Sequence, residues 1–61
     1  VIYAYNWVDS TGHEHHDEGD DLTALATALC AGLDHGHSAV KIYDETGSVR
    51  AVVGPNEWRL K

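Results

Sequence analysis

Asp20-Asp21-Leu22-Thr23-Ala24-Leu25-Ala26-Thr27-Ala28-Leu29-Cys30-Ala31-Gly32-Leu33 is the stretch of this 61-residue chain with clear helical periodicity. Leu22, Leu25, Ala26, Leu29 and Leu33 recur at helical spacing and form one apolar stripe, with Thr23, Ala24, Thr27 and Ala28 off it. Asp20 and Asp21 supply N-cap chemistry: a carboxylate accepts from the free amides of the first turn and sits at the positive end of the dipole. Gly32 and Gly36 both offer a C-terminal stop. One amphipathic helix cannot bury its own stripe, so the flanking segments must supply a second layer.

On the N-terminal side, Val1-Ile2-Tyr3-Ala4-Tyr5-Asn6-Trp7-Val8 is β-branched and aromatic and ends at Asp9-Ser10-Thr11-Gly12, a strand running into a turn. Neither of its alternating faces is plainly polar, which places it inside a sheet rather than at an edge. Residues 13–18 have no aliphatic side chain and fit an edge strand or a loop equally well. On the C-terminal side, residues 39–44 and 49–53 read as strands joined by the glycine-containing turn Asp44-Glu45-Thr46-Gly47-Ser48. The tail Glu57-Trp58-Arg59-Leu60-Lys61 could add an edge strand or fold back over the sheet. The expectation is a single α+β domain over residues 1–61. One helix packs on a small antiparallel three- or four-stranded sheet, in the order β-(β)-α-β-β. No convincing internal repeat is read in the chain.

Composition excludes several classes. No run approaches the roughly 18 apolar residues that span a membrane, and no charged-then-apolar secretory leader is present. Cys30 is the only cysteine, so no intrachain disulfide forms, and a cytoplasmic setting is the default expectation. Val1 in place of a methionine fits either a trimmed initiator or a piece of a longer protein. The net charge of −6 is segregated: residues 1–37 hold seven carboxylates and no Lys or Arg. Lys41, Arg50, Arg59 and Lys61 all lie beyond them. That polarity favours a basic protein partner and disfavours nucleic acid, whose phosphates the acidic half repels.

Five histidines are many for this length. His13, His15 and His16 form one cluster and His35 and His37 a second, and an extended backbone would point His13 and His15 the same way. A zinc or nickel site is therefore the alternative expectation, against histidines that merely titrate in a polar turn. Cys30 falls beside Ala26 and Leu33 and reads as core. No nucleophile elbow, phosphate loop or metalloprotease helix occurs. So small a chain leaves little volume for a pocket, and an enzyme is not expected.

If Ile2, Ala4 and Val8 meet the helix together with Val40, Ile42, Val49, Ala51 and Val53, pleating turns Tyr3, Tyr5 and Trp7 to the other face. They would lie there beside Lys41, Tyr43, Arg50 and Val52. Tyr, Trp and Arg are the residues enriched at binding hot spots. The expected function is a non-enzymatic regulatory or inhibitor-type interaction domain, acting through this aromatic face and the acidic half. Its partner would be another protein or a second copy, with a homodimer favoured because the core is thin. The same element order occurs in short bacterial and phage proteins, some of them inhibitors of host defence, but topology transfers no function.

Overall fold

The computed structural model describes residues 1–61. Five strands and one helix follow each other as β1 (Tyr3–Val8), β2 (Glu14–Gly19), α1 (Leu22–Gly32), β3 (Val40–Asp44), β4 (Val49–Val53) and β5 (Trp58–Leu60). The strands form one antiparallel sheet in the order β2-β1-β3-β4-β5, with α1 on one face. The α+β expectation holds, with a higher strand count: residues 14–19 do pair, and the tail adds the edge strand β5.

Local chemistry sets the element ends. The Asp21 side chain accepts from the Ala24 amide at 3.1 Å and caps α1. The helix stops at Gly32, where Leu33 turns extended while its amide still donates to the Leu29 carbonyl at 3.0 Å. Leu33 thereby stays in the core one residue past the last turn.

Two of the hairpins use the same device, a short motif repeated in the sequence. Asp9-Ser10-Thr11-Gly12-His13 and Asp44-Glu45-Thr46-Gly47-Ser48 share the pattern Asp-x-Thr-Gly-x. In the first, Asp9 Oδ1 accepts from the amides of Thr11 (2.9 Å) and His13 (3.0 Å) and from the Thr11 hydroxyl. In the second, Asp44 Oδ1 accepts from the amides of Thr46 (2.9 Å) and Ser48 (3.1 Å) and from the Thr46 hydroxyl. Gly12 and Gly47 take φ of +90° and +86°, conformations that cost an L-residue strain. This is the turn-plus-bulge hairpin that asparagine-like side chains and glycine favour.

The core lies between α1 and the sheet: Trp7, Leu25, Ala26, Leu29, Leu33, Val40, Ile42, Ala51 and Val53 are buried. Tyr3, Tyr5, Leu22, Cys30 and Trp58 pack around them. This reverses the expected orientation of β1. Tyr3, Tyr5 and Trp7 face the helix, and Ala4, Asn6 and Val8 face away, with Val8 51% exposed. The reason is volume. A stripe of leucine and alanine over a sheet without Phe or Met leaves a thin layer, and aromatic rings fill it with far more buried area than alanine or valine. Asn6, the one polar residue in the strand, then goes to solvent. Trp58 also joins the core instead of lying over an aromatic face.

Arg50 is a second correction. A register shift between Ile42 and Tyr43 inserts an extra residue in β4, so Val49 rather than Arg50 lies opposite Tyr43. Bulges re-aim side chains, and here Arg50 turns to the helix side. Its Nη1 lies 3.3 Å from Asp44 Oδ2, and its guanidinium carbon 5.8 Å from the centre of the Tyr3 ring. Of the expected open-face residues, Lys41, Tyr43 and Val52 keep their place.

Candidate functional site

The most distinctive side-chain chemistry gathers where β1 and β2 meet the loop after α1. Antiparallel pairing sets Trp7 opposite His15 and Tyr5 opposite Asp17 on the helix side, while Val8–Glu14, Asn6–His16 and Ala4–Glu18 face outward. His15 stacks on Trp7, with ring centroids 4.4 Å apart and planes 16° from parallel. Its Nε2 lies 2.7 Å from Asp9 Oδ2, so the carboxylate that organises the turn also anchors the first turn-proximal imidazole of β2. His37 meets the edge of the same indole at 5.0 Å and 77°. Trp7 is thus held between two imidazoles.

His37 has an unusual pair of partners. Nδ1 lies 2.6 Å from the Ser38 carbonyl oxygen and Nε2 lies 3.0 Å from the Val8 carbonyl oxygen. Both partners only accept, and a neutral imidazole carries one N–H, so only the imidazolium satisfies both. The Ser38 carbonyl, then the Val8 carbonyl and the nearby Asp34 carboxylate, raise its pKa above the ordinary 6.5. Asp34 in turn accepts from the Ser10 amide at 2.9 Å, tying the same loop to the β1–β2 turn. His37 therefore acts as a strut between β1 and the segment leading into β3, where β1–β3 pairing covers only Tyr3–Asp44 and Ala4–Tyr43.

The five histidines do not converge as one ligand set. His13 and His15 lie near Asp9, His16 points to the opposite face of the sheet, His35 is exposed in the loop, and both His37 nitrogens face carbonyls. No three His, Cys, Asp or Glu side chains come together in a way that would hold a metal ion.

A hydroxyl, an imidazole and a carboxylate do meet at Thr11, His13 and Asp9. Thr11 Oγ1 lies 2.6 Å from Asp9 Oδ1 and 2.9 Å from His13 Nδ1. The Asp44 turn repeats this geometry with Ser48 in place of histidine, its Oγ 3.2 Å from Thr46 Oγ1. The shared pattern marks turn chemistry: the threonine proton goes to the carboxylate, not to a base.

The largest hollow, ≈ 480 Å³, is an open groove between β2 and α1, walled by Tyr5, Trp7, His15, Asp17, Leu29 and Gly32. Its volume exceeds the sequence expectation, yet it is a surface furrow rather than an enclosed pocket. Burial, and then the Asp17 carboxylate opposite, raise the Tyr5 pKa. Comparisons with protein-family models, curated proteins and solved structures find no match. No helix of the protein is long and apolar enough to cross a membrane.

The titrating groups bound stability on both sides of neutrality. The hydroxyl of Thr46 first, then turn amides and Arg50, hold Asp44 down at about 2. Asp9 is lowered further, by the hydroxyl of Thr11 and then by His15 and its turn amides. Their contributions are present above the ordinary value of 3.8 and are lost as pH falls toward 2. His37 has the opposite sign: its contribution is complete below pH 6.5 and disappears as pH rises through its raised folded value. The melting temperature is therefore expected to be highest between about pH 4 and 6.5 and to fall on either side. Replacing His37 by glutamine should flatten the alkaline limb alone. A His37 imidazole midpoint at or below 6.5 by NMR would contradict the strut.

Proposed function

We propose that this domain is a non-enzymatic protein-interaction module that binds a basic, extended segment of a partner along β2 and its adjoining groove. One observation carries this reading: β2 is an edge strand, exposed along Glu14–Glu18, whose outer backbone groups have no strand beside them. It carries Glu14, Asp17 and Glu18 and is followed by Asp20 and Asp21, with no Lys or Arg anywhere in residues 1–37. Such charge keeps an open edge from pairing with another acidic copy of itself, while attracting and steering a cationic strand.

An added strand would hydrogen-bond to the β2 backbone, which supplies affinity, while alternate side chains supply specificity. On the helix side those side chains would meet the groove floored by Leu29, Tyr5 and Trp7. Gly32 and Ala28 on α1 leave room above that floor. His15, stacked on Trp7, and Asp17 form the rim.

The test is titration of a labelled alternating Lys–Val peptide, with a Glu–Val peptide of equal length as control. The basic peptide should shift amide signals of residues 14–19 and bind less tightly as salt rises. The triple variant E14K/D17K/E18K should weaken binding by about tenfold or more, equivalent to ~1.4 kcal/mol. Equal response to both peptides, or shifts confined to β5, would discard the proposal.

A further inference from the structure

The sheet face opposite α1 carries no covering element, and its residues follow from the strand registers. Across it run Glu14, His16 and Glu18 on β2, then Ala4, Asn6 and Val8 on β1. Lys41 and Tyr43 follow on β3, Val49 and Val52 on β4, and Arg59 on β5. Two features stand out. The middle is largely apolar and wet: Val8 is 51% and Tyr43 41% exposed. The charge is also ordered, with both carboxylates in the outermost column at one side, Lys41 on the central strand and Arg59 on the opposite edge.

We infer that this face is covered by a second copy of the chain, in a twofold dimer whose axis runs along the strands near the β1–β3 seam. The charge order selects the occupant and the axis. Face-to-face sheets stack about 10 Å apart with strand directions nearly aligned. A twofold axis running across the strands would place β2 over the partner's β2, carboxylate over carboxylate. An axis along the strands places β2 over the partner's β4. At a strand spacing of about 4.8 Å, each Glu14–Glu18 column then falls between the partner's Lys41 and Arg59. The same operation lays Ala4 and Val8 against the partner's β3 and takes Val49 and Val52 out of water. Tyrosine and long basic side chains at such a seam bury their apolar stems while keeping polar tips paired. The pairing is isologous, so every favourable contact occurs twice.

This dimer leaves the backbone edge of β2 and its helix-side groove free, while Glu14 and Glu18 serve both contacts. The experiment uses the chain alone, so its failure leaves the β2 reading standing. Two charge-reversed variants are made at exposed positions: E14K/E18K and K41E/R59E. Masses are measured by sedimentation equilibrium at high micromolar concentration, with circular dichroism to confirm folding. Wild type is expected at twice 6.7 kDa, and each variant alone at the monomer mass, because its two faces now carry like charge at the seam. Mixed in equal amounts, the two variants should recover the dimer mass, since one supplies bases wherever the other supplies acids. A wild-type monomer, a dimer that persists in both variants, or a mixture that stays monomeric would each overturn the inference. Persistence would point instead to pairing along the β5 edge.

Discussion

Replacing Trp7 by alanine is expected to abolish the cooperative fold at room temperature. The indole is 9% exposed, stacks on His15 and takes the edge of His37, so its loss opens a large cavity at the β1–β2 side of the core. Truncating a buried tryptophan costs about 3–5 kcal/mol. A single hydrophobic core of this size rarely supplies more than ~3–5 kcal/mol in total. The two figures are equal within their spread, so the variant should show no thermal transition by circular dichroism and little dispersion in its amide spectrum. Tyr43→Ala on the outer face is the control, expected to change monomer stability by less than about 0.5 kcal/mol. If the Trp7 variant melted near the wild-type temperature, the assignment of the aromatic side of β1 to the core would fail.

Leu29→Ala should come next in severity, at about 2–5 kcal/mol. Leu29 is 1% exposed and sits over the centre of the sheet, where it also floors the groove beside β2. Helix neighbours are held in place by the strands they cover, so the cavity cannot collapse fully and the cost lies toward the upper part of that range. Leu60→Ala provides the contrast: at 53% exposure on the edge strand β5, it should fall within about 0.5 kcal/mol of wild type. Urea unfolding resolves the pair, provided the slope with denaturant is unchanged between variants. A Leu29 cost no larger than that of Leu60 would contradict the packing of α1 on the sheet.

Much of the candidate site was open to sequence reading, and the misses have identifiable causes. The acidic, base-free first half and the five histidines are composition, visible without a fold. The paired turns are visible too, because Asp9-x-Thr11-Gly12 and Asp44-x-Thr46-Gly47 share their spacing as a short motif. The Trp7–His15 stack could not be read directly, since it depends on which residue of β2 stands opposite Trp7. The double carbonyl contact of His37 was further out of reach. It joins Val8 and Ser38 through a loop whose path is set by how α1 returns to the sheet.

Sequence by itself determined α1, its Asp21 cap, the existence of β1, β3 and β4, and the one-helix-on-sheet class. These rest on interactions within a few residues: amide capping, leucine spacing, β-branched alternation and glycine turns. Tertiary structure alone decided which face of β1 is inside. Both faces of Tyr3–Val8 are largely apolar, so local alternation carries no sign, and the choice falls to the volume left under a helix of leucines and alanines. The same holds for Arg50, itself the extra residue between Val49 and Ala51, which lies on the Asp44 and Tyr3 side instead of the outer face. It holds for β2 as well, whose polar residues pair because β1 offers an unpaired edge beside them. Each of these outcomes depends on packing or pairing between segments far apart in the chain, where a one-residue shift exchanges the faces of a strand.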